Sequence, residues 1–534
     1  MLLPWPLLTF LGAASASLHR WPRGATVSRA GSESAALPDA SNCTTYYFEQ
    51  HLDHYSFAGN SSFLQRYLVY DRYWTPGGPI FFYAGNEADV TLYVNNTGLM
   101  WESAEEFGAL LLFAEHRYWG ESCPFVGATC GDDMAADNPN AVHKEYLTYE
   151  QVMMDFVRLL AAFKAERKVD DAPVIAFGGS YGAMLAFWLR ATYPHVFAGA
   201  IAASAPLRVF AGWQRPSADW DSHSYWQVVT RGANATGGSA PRCSRNVRHA
   251  FDALLSFGES SDGRAKLAHL FGTCSTTPLQ TPADVRRLYK LMVFTFDTLS
   301  MGNYPYASNY LTGGKAMLPP FPLRHACESL APEFGEAQQD ALLGALSAAT
   351  QVVTNASGRE TCIPLPTADA DDGQDCVLCD YFSCTNANPL ETTYARDGLV
   401  DDGGDMFLPE GDPASGVLGG VNVSAIEERC ARLYSTAPRW HRMVEVYGGV
   451  RRIASITNVV YSNGFLDQWS SAGITWVARD DSTSIMIDNA AHHLDLMFSH
   501  PDDPPSVVAA RETERAFMRR WVAQWEANAS PERH

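Results

Sequence analysis

The sequence lacks long apolar runs and has few basic residues. After the N-terminal stretch, no run of about eighteen apolar residues occurs in the 534-residue chain, so no membrane-spanning helix is expected. Lysine and arginine number 39 against 59 aspartate and glutamate residues, which gives a net charge of −20 at pH 7. A chain this acidic repels phosphate groups, so neither nucleic acid nor an anionic membrane is expected as a partner.

Metal-ligand patterns are missing as well. The acidic segment 366–412 contains no loop with the spacing of a calcium-binding EF-hand. Cys376-Val-Leu-Cys379 has the form of half a zinc site, but no second pair of ligands and no thioredoxin-like frame accompanies it. We therefore expect no metal and no other cofactor. The chain has eleven cysteines, and we interpret them as structural disulfides. The odd count leaves one free thiol or one intermolecular bond, for which Cys43 is the candidate.

The N-terminus indicates the secretory pathway. Residues 1–16 read as a signal peptide, with an apolar run and a small-residue cleavage site, although no basic residue precedes the run. Residues 17–44 are predicted to be disordered or a pro-segment. Seven Asn-x-Ser/Thr sequons are consistent with glycosylation: Asn42, Asn60, Asn95, Asn234, Asn355, Asn422 and Asn528. We expect a protein of the secretory pathway.

The most informative stretch is a Gly-x-Ser-x-Gly motif, Gly178 to Gly182. An apolar run rich in β-formers, Val174–Phe177, leads into it, and an apolar segment with helical spacing follows to about Tyr193. Strand, tight turn and helix are the context of a nucleophile elbow. In such a turn, the flanking glycines let Ser180 Oγ stand clear of the backbone, so we predict that Ser180 is a hydrolase nucleophile.

The order of elements predicts one α/β sheet with an insertion. Residues 45–207 alternate short strands with helices, which indicates a mostly parallel sheet. Helical patterns dominate 208–440, where eight of the cysteines lie, and we expect an inserted helical domain there. The β signal returns in 441–528, which we assign to the second part of the sheet domain.

Two strands of this second part end in residues that suit a catalytic triad. Strand 456–461 leads to Asp467, and strand 484–487 leads to the pair His492-His493. In an α/β-hydrolase the acid and then the histidine follow the serine, each just beyond a strand. Asp467 and one of the two histidines are therefore the predicted acid and base for Ser180.

The chain resembles the proline-specific serine exopeptidases, a family that includes lysosomal Pro-X carboxypeptidase and dipeptidyl peptidase II. The likeness runs from about residue 46 to 525 and rests on many short motifs. They include Gln50-His-Leu-Asp-His54, Tyr83-Ala-Gly-Asn-Glu87, Phe113-Ala-Glu-His-Arg-Tyr118, the elbow, Tyr304-Pro-Tyr306, Ser462-Asn-Gly464 and Ala491-His-His-Leu-Asp-Leu496. Segments such as Phe271-Gly-Thr-Cys274 place it nearer to dipeptidyl peptidase II.

The resemblance implies an α/β-hydrolase fold with a helical, disulfide-bonded cap domain between the nucleophile and the triad acid. It also implies residence in a lysosome or vacuole, although the sequence leaves open whether the protein is instead released outside the cell. It selects His492 as the base beside Ser180 and Asp467. It also implies three disulfide bridges, Cys243–Cys327, Cys274–Cys362 and Cys384–Cys430, and Cys123 could pair locally with Cys130. The sequence departs from the family pattern beside the triad acid, where Gln468 replaces a proline, and at Met497, which replaces an arginine.

Further site residues follow from the chemistry. The oxyanion needs backbone N–H donors, which we place at Tyr181 and in the loop at Gly85 and Asn86. Met184 and Trp469 are candidates to line an apolar pocket for a proline ring. Binding a peptide α-amine requires a carboxylate, for which Glu87 or Asp89 is the candidate.

With these residues, the resemblance implies a serine exopeptidase that acts on peptides after proline or alanine. The favoured reaction is release of N-terminal Xaa-Pro dipeptides through an acyl-enzyme. The alternative is the carboxypeptidase version, which removes a C-terminal residue that follows proline. Peptides are the expected partners, and the sequence leaves open whether the chain forms a homodimer.

Overall fold

The computed structural model describes most of the chain. The described residues are 37–57, 59–125, 130–131, 138–210, 224–366, 377–386, 406–407 and 423–529. The predicted signal peptide, most of the segment that follows it, Cys376 and the sequon at Asn422 lie outside these ranges. Within them, every helix is too short or too polar to cross a bilayer.

An eight-stranded sheet forms the centre of the described structure. Its strands are β1 (Thr44–His51), β2 (Ser62–Tyr70), β3 (Ile80–Ala84), β4 (Leu110–Ala114), β5 (Val174–Gly179), β6 (Gly199–Ala203), β7 (Val459–Gly464) and β8 (Thr483–Ile487). The spatial order is β1-β2-β4-β3-β5-β6-β7-β8. The first two strands are antiparallel to their neighbours, and all later pairs are parallel.

The central strands are apolar on both faces because helices cover both sides of the sheet. Every residue of β3, β4, β5, β6 and β7 is buried. Continuous burial is typical of parallel strands in α/β folds, where alternation is lost. Gly199 shows how closely the C-terminal helix approaches: a Cβ there would lie 2.1 Å from the Trp521 ring.

Sixteen α-helices accompany the sheet in the described residues. The first five are α1 (Val90–Val94), α2 (Gly98–Phe107), α3 (Pro139–Val142), α4 (Tyr149–Arg167) and α5 (Tyr181–Thr192). The next eight are α6 (Ser224–Gly232), α7 (Cys243–Gly258), α8 (Ser261–Phe271), α9 (Pro282–Met301), α10 (Pro322–Ser329), α11 (Gln339–Thr354), α12 (Val377–Asn386) and α13 (Val423–Tyr434). The last three are α14 (Arg442–Tyr447), α15 (Gly449–Ile453) and α16 (Pro505–Ala529).

The helices α6 to α15 lie in the chain between β6 and β7, which are neighbours in the sheet. The fold is therefore an α/β-hydrolase fold with a helical block inserted between the elbow and the acid-bearing strand. Disulfide bridges tie this block together: Cys243–Cys327, Cys274–Cys362 and Cys384–Cys430. These are the pairs that the family resemblance implied.

Three described cysteines lie before the inserted block in the chain. Cys123 and Cys130 form a local bridge before the inserted block. Among the cysteines that the structure describes, Cys43 is free. Burial and the nearby Asp39 raise the pKa of its thiol to about 12, so it stays protonated at physiological pH.

A buried ion-pair network lies at the carboxyl end of β4. Arg66 pairs with Glu115, and Arg117 pairs with Asp155 at 2.7 Å. The His54 ring lies 2.7 Å from the same Asp155 carboxylate. Burial alone would raise the pKa of Asp155, but the Arg117 guanidinium lowers it below its ordinary value. In the charged segment Glu115-His-Arg117, the first and last residues therefore form structural ion pairs.

Strand β1 is one element that the hydrophobic pattern does not indicate. It pairs with β2 at the edge of the sheet, and six of its eight side chains are exposed. A strand with so little buried surface carries no strong alternation of apolar residues, because backbone hydrogen bonds rather than a buried face hold it in place.

Candidate active site

The nucleophile elbow is a strained turn between β5 and α5. Ser180 has a φ of 58° and a ψ of −124°, which places a non-glycine residue in a disfavoured conformation. The Ser180 N–H donates to the Ala203 carbonyl at 3.0 Å. A Cβ on Gly178 would lie 2.1 Å from the Gly182 backbone, so the turn closes only with glycine there. Strand, elbow and helix stand where the sequence predicts them.

Asp467 and His492 are in direct contact. The His492 Nδ1 lies 3.0 Å from both carboxylate oxygens of Asp467. Asp467 follows β7 and is also held by the Trp469 N–H, which donates to its Oδ1 at 3.1 Å. Because a carboxylate can only accept a hydrogen bond, a neutral His492 ring carries its hydrogen on Nδ1. The lone pair then lies on Nε2, where a general base requires it.

The histidine loop is fixed from two sides. The His492 N–H donates to the Met301 carbonyl at 3.3 Å, and the Tyr304 hydroxyl donates to the His492 carbonyl at 3.1 Å. Both partners belong to the inserted block or the segment just after α9. The block therefore takes part in positioning the histidine and does not merely cover the sheet.

His493 joins this loop to the elbow. Its ring lies against Gly179, where a Cβ would be 2.9 Å from His493 Cδ2. Its N–H donates to Ser204 Oγ at 2.8 Å. Burial, with the neighbouring His492, keeps the pKa of His493 well below its usual range, so the ring is neutral. Ser180, Asp467 and His492 thus gather at one edge of the sheet.

The oxyanion candidates divide into two groups. Tyr181 opens α5, where backbone N–H groups are free of helical partners. Asn86 lies beside the same helix start, since a Cβ on Gly182 would be 2.9 Å from Asn86 Oδ1. The Gly85 N–H, in contrast, donates to the Ala114 carbonyl at 3.0 Å. Gly85 therefore has no free N–H to offer an oxyanion.

His116, which the sequence analysis named only as part of the motif Phe113–Tyr118, is a neighbour of the site. Its Nδ1 lies 2.6 Å from the Arg117 carbonyl and its Nε2 2.9 Å from the Tyr181 hydroxyl. Burial lowers the pKa of His116 to about 4, so the ring is neutral. The carbonyl takes the Nδ1 hydrogen, and the Tyr181 hydroxyl therefore donates to Nε2.

The predicted substrate contacts occupy different surroundings. Met184 is fully buried, one turn beyond Ser180. Trp469 is 3% exposed, and its ring packs edge-on against Tyr225 at a centroid distance of 4.8 Å. Asp89 is paired with Arg66 at 2.8 Å, so its charge is already compensated.

Glu87, the other predicted carboxylate, is nearly buried. Its Oε2 accepts a hydrogen bond of 2.9 Å from the Asn86 amide. The Glu87 charge also contributes to raising the pKa of Tyr149 and Tyr181, after burial as the larger cause. Glu87 is therefore close to the elbow, whereas Asp89 is committed to a structural ion pair.

Comparison with known proteins gives a consistent result. The family described as Serine carboxypeptidase S28 matches residues 50–368 and 419–514. Lysosomal Pro-X carboxypeptidase of Pongo abelii is 36% identical over 486 residues, which cover 90% of this chain and 89% of that protein. The protein of the same name from Homo sapiens shows the same identity and coverage.

A solved structure, a peroxisomal alpha-beta-hydrolase from Saccharomyces cerevisiae, overlaps 35% of this chain and 52% of that chain. The identity is 13% and the TM-score 0.22. The fold assignment therefore relies on the strand order and on the family match.

Proposed function

Because the chain belongs to the serine carboxypeptidase S28 family, we propose that it removes the C-terminal residue that follows proline in a peptide. The chain is a serine-type peptidase, and the proposal concerns which end of the substrate it attacks. The similar proteins named Pro-X carboxypeptidase favour the C-terminal end. Release of N-terminal dipeptides, the reaction favoured by the sequence, has no such support and becomes the alternative.

The observation that carries the chemistry is the contact between Asp467 and His492 at the edge where Ser180 stands. In our proposal His492 Nε2 takes the proton of Ser180 Oγ as the oxygen attacks the proline carbonyl. The same proton then goes to the nitrogen of the leaving residue. Water attacks the acyl-enzyme with His492 again as base, which frees the shortened peptide and restores Ser180.

The developing oxyanion would bind the backbone N–H groups of Tyr181 and Asn86. The start of α5 adds the positive end of a helix dipole at the same place. The hydrogen bond from the Tyr181 hydroxyl to His116 supports this role, since it holds the residue beside the nucleophile from its side-chain end. Gly85 is left out because the Ala114 carbonyl already uses its N–H.

We place the proline ring against Met184 and Trp469. Trp469 follows Asp467 by two residues and is anchored on Tyr225 of α6, while Met184 lies one turn beyond Ser180. Both are apolar and rigidly packed, which suits a compact ring. Recognition of an α-amine by Glu87 or Asp89 belongs to the dipeptidyl alternative, and the Arg66 pair makes Asp89 the poorer candidate.

The cellular site and domain division are part of the same proposal. We place the protein in the secretory pathway, with residence in the lysosome or outside the cell, as the similar lysosomal proteins suggest. Among the predicted glycosylation sites, Asn42, Asn60, Asn95 and Asn528 are exposed. Residues 208–440 are proposed to form the inserted domain, with 45–207 and 441–528 making the sheet domain.

The test compares three reporters with the purified full-length protein. An N-terminally blocked peptide ending in Pro-Phe acid should be hydrolysed at the Pro–Phe bond. Its C-terminal amide should be a poor substrate, because the terminal carboxylate is missing. Lys-Pro-amide with a free N-terminus reports on the alternative. If only this last reporter is cut, and acetylation of its amine abolishes cleavage, the dipeptidyl reaction replaces our proposal.

A further inference from the structure

A buried carboxyl group of the inserted block lies directly behind the triad acid. Asp297 of α9 is fully buried, and the Tyr225 hydroxyl donates to its Oδ1 at 2.8 Å. The Gln468 amide donates to the same Oδ1 and to the Asp297 carbonyl oxygen, each at 3.0 Å. Gln468 is the residue next to Asp467. One side chain thus connects α6, α9 and the catalytic turn.

The turn that Asp297 contacts is the one that holds Asp467. A short 3₁₀ turn, Gln468–Ala472, begins directly after Asp467, and its Trp469 N–H donates to the Asp467 carboxylate. Gln468 anchors the first residue of this turn to α9. Tyr225 supports the second, because its ring packs on Trp469. Both donors to Asp297 therefore also touch the turn that orients the triad acid.

The protonation of Asp297 follows from its surroundings. Both donors approach Oδ1, and Oδ2 is buried without a hydrogen-bond partner among the described residues. Burial, aided by the Asp467 charge, raises the pKa of Asp297 to about 8, although Tyr225 and Gln468 act in the opposite direction. The carboxyl is therefore neutral in acid, with its proton on Oδ2.

No cation compensates Asp297 among the described residues that influence its pKa. The titratable groups that act on it are Tyr225 from α6 and Asp467 beside the turn. The helices α7, α10 and α11 also pack on α9 and contribute no charge to this pKa in the described part of the chain. Loss of its proton would place a second buried anion near Asp467, a state that burial makes costly.

We infer that Asp297 is a positioning residue for the triad: through Gln468 and Tyr225, its carboxyl group fixes the turn that holds Asp467 against His492. The inference rests on the proposed role of Asp467 and is independent of which peptide end is read.

The experiment uses two near-isosteric variants of the full-length protein. Asp297→Asn keeps an acceptor at Oδ1 but cannot ionise. Gln468→Met keeps the length of the side chain but donates no hydrogen bond. The control is Thr295→Val, which changes a buried polar group on α9 whose hydroxyl donates to the Leu291 carbonyl. Activity on the Pro-Phe acid reporter and the rate at which a fluorophosphonate labels Ser180 are followed against pH.

For Gln468→Met we expect kcat and the labelling rate to fall about tenfold in acid, with KM within about twofold, because the triad acid is misplaced. Thr295→Val should match the wild type. For Asp297→Asn we expect wild-type kcat in acid and a decline in alkali that is displaced upward by about one pH unit or lost. Labelling reports on the triad even if the Pro-Phe reporter is not cut.

Two results would overturn the inference. One is a Gln468→Met protein that labels as fast as Thr295→Val. The other is an Asp297→Asn protein whose alkaline decline coincides with that of the wild type. Should Gln468→Met fail to fold, Tyr225→Phe removes the other donor to Oδ1, and an unchanged labelling rate in that variant counts against the inference.

Discussion

The sheet and the inserted helices are held together in different ways. The central strands are fully buried and joined by regular backbone pairing, and the Arg117–Asp155 ion pair connects the segment after β4 to α4. The helical block instead carries three disulfide bridges that connect cysteines 84, 88 and 46 residues apart. Backbone hydrogen bonds between strands fix the arrangement of a sheet, whereas helices separated by long loops lack such pairing and gain more stability from covalent links. The active site draws on both regions.

The largest expected effect is a loss of activity without a loss of stability. Ser180→Ala should reduce turnover on the order of a million-fold, because the nucleophile is lost. Unfolding temperature should stay equal or rise, since alanine keeps the elbow while a polar side chain is removed. Rates with the Pro-Phe reporter and thermal unfolding measure the two sides. An active Ser180→Ala protein, or fluorophosphonate attached to another residue, would refute the assignment.

The next variant removes a buried ion pair from the sheet region. Arg117→Met leaves the Asp155 carboxylate buried without its guanidinium and should lower the free energy of unfolding by about 3–5 kcal/mol. Arg167→Met is the matched control, because its pair with Asp71 is 2.9 Å long but partly exposed. That control should change stability by about 1 kcal/mol or less. Equal losses in urea unfolding would show that burial does not set the strength of these pairs.

The disulfide side should yield a smaller, more local effect. The double variant Cys274→Ala, Cys362→Ala should lose about 2–4 kcal/mol of stability, through a less constrained unfolded chain. Hydrogen exchange should speed up in α8, α9 and α11 before it does in β5 and β6. Cys43→Ala, which breaks no bridge, serves as the control. Simultaneous loss of protection in the sheet would mean that the two regions unfold as one unit.

The last expected effect is a dependence of stability on pH. The pKa of Asp297 rises from 3.8 in the unfolded chain to about 8 in the fold. Between those values the unfolded chain releases a proton that the folded chain keeps, so stability is greatest in acid and declines as the pH rises toward 8. Asp297→Asn should flatten the slope of melting temperature against pH. An unchanged slope would assign the decline to other groups.

Much of the sheet region is predictable from the sequence because its signals are local. The elbow strand is expected at Val174–Phe177 and observed as Val174–Gly179. Asp467 comes shortly after β7 and His492 shortly after β8, in the order that the sequence predicts. Apolar runs, a glycine turn and helix spacing are each visible within about ten to twenty residues. The family resemblance adds the choice between His492 and His493, which the pattern leaves open.

Other parts of the site depend on contacts between distant residues. Gln468 meets Asp297 across 171 positions, and His116 meets Tyr181 across 65. No periodicity encodes such pairs, so the sequence predicts neither the contact of His116 with Tyr181 nor any role for Asp297. The Gly85 donor fails for a similar reason, since its N–H is taken by a neighbouring strand, at Ala114, that the motif alone does not reveal.

The arrangement of β6 and β7 also has a consequence for the growing chain on the ribosome. The two strands pair in the sheet, yet Val459 follows Ala203 by 256 positions. At typical rates of translation, roughly 10–50 s pass before the partner of β6 emerges. During that interval β6 offers an unpaired apolar edge, so a chaperone or the nascent helices must shield it until the last two strands arrive.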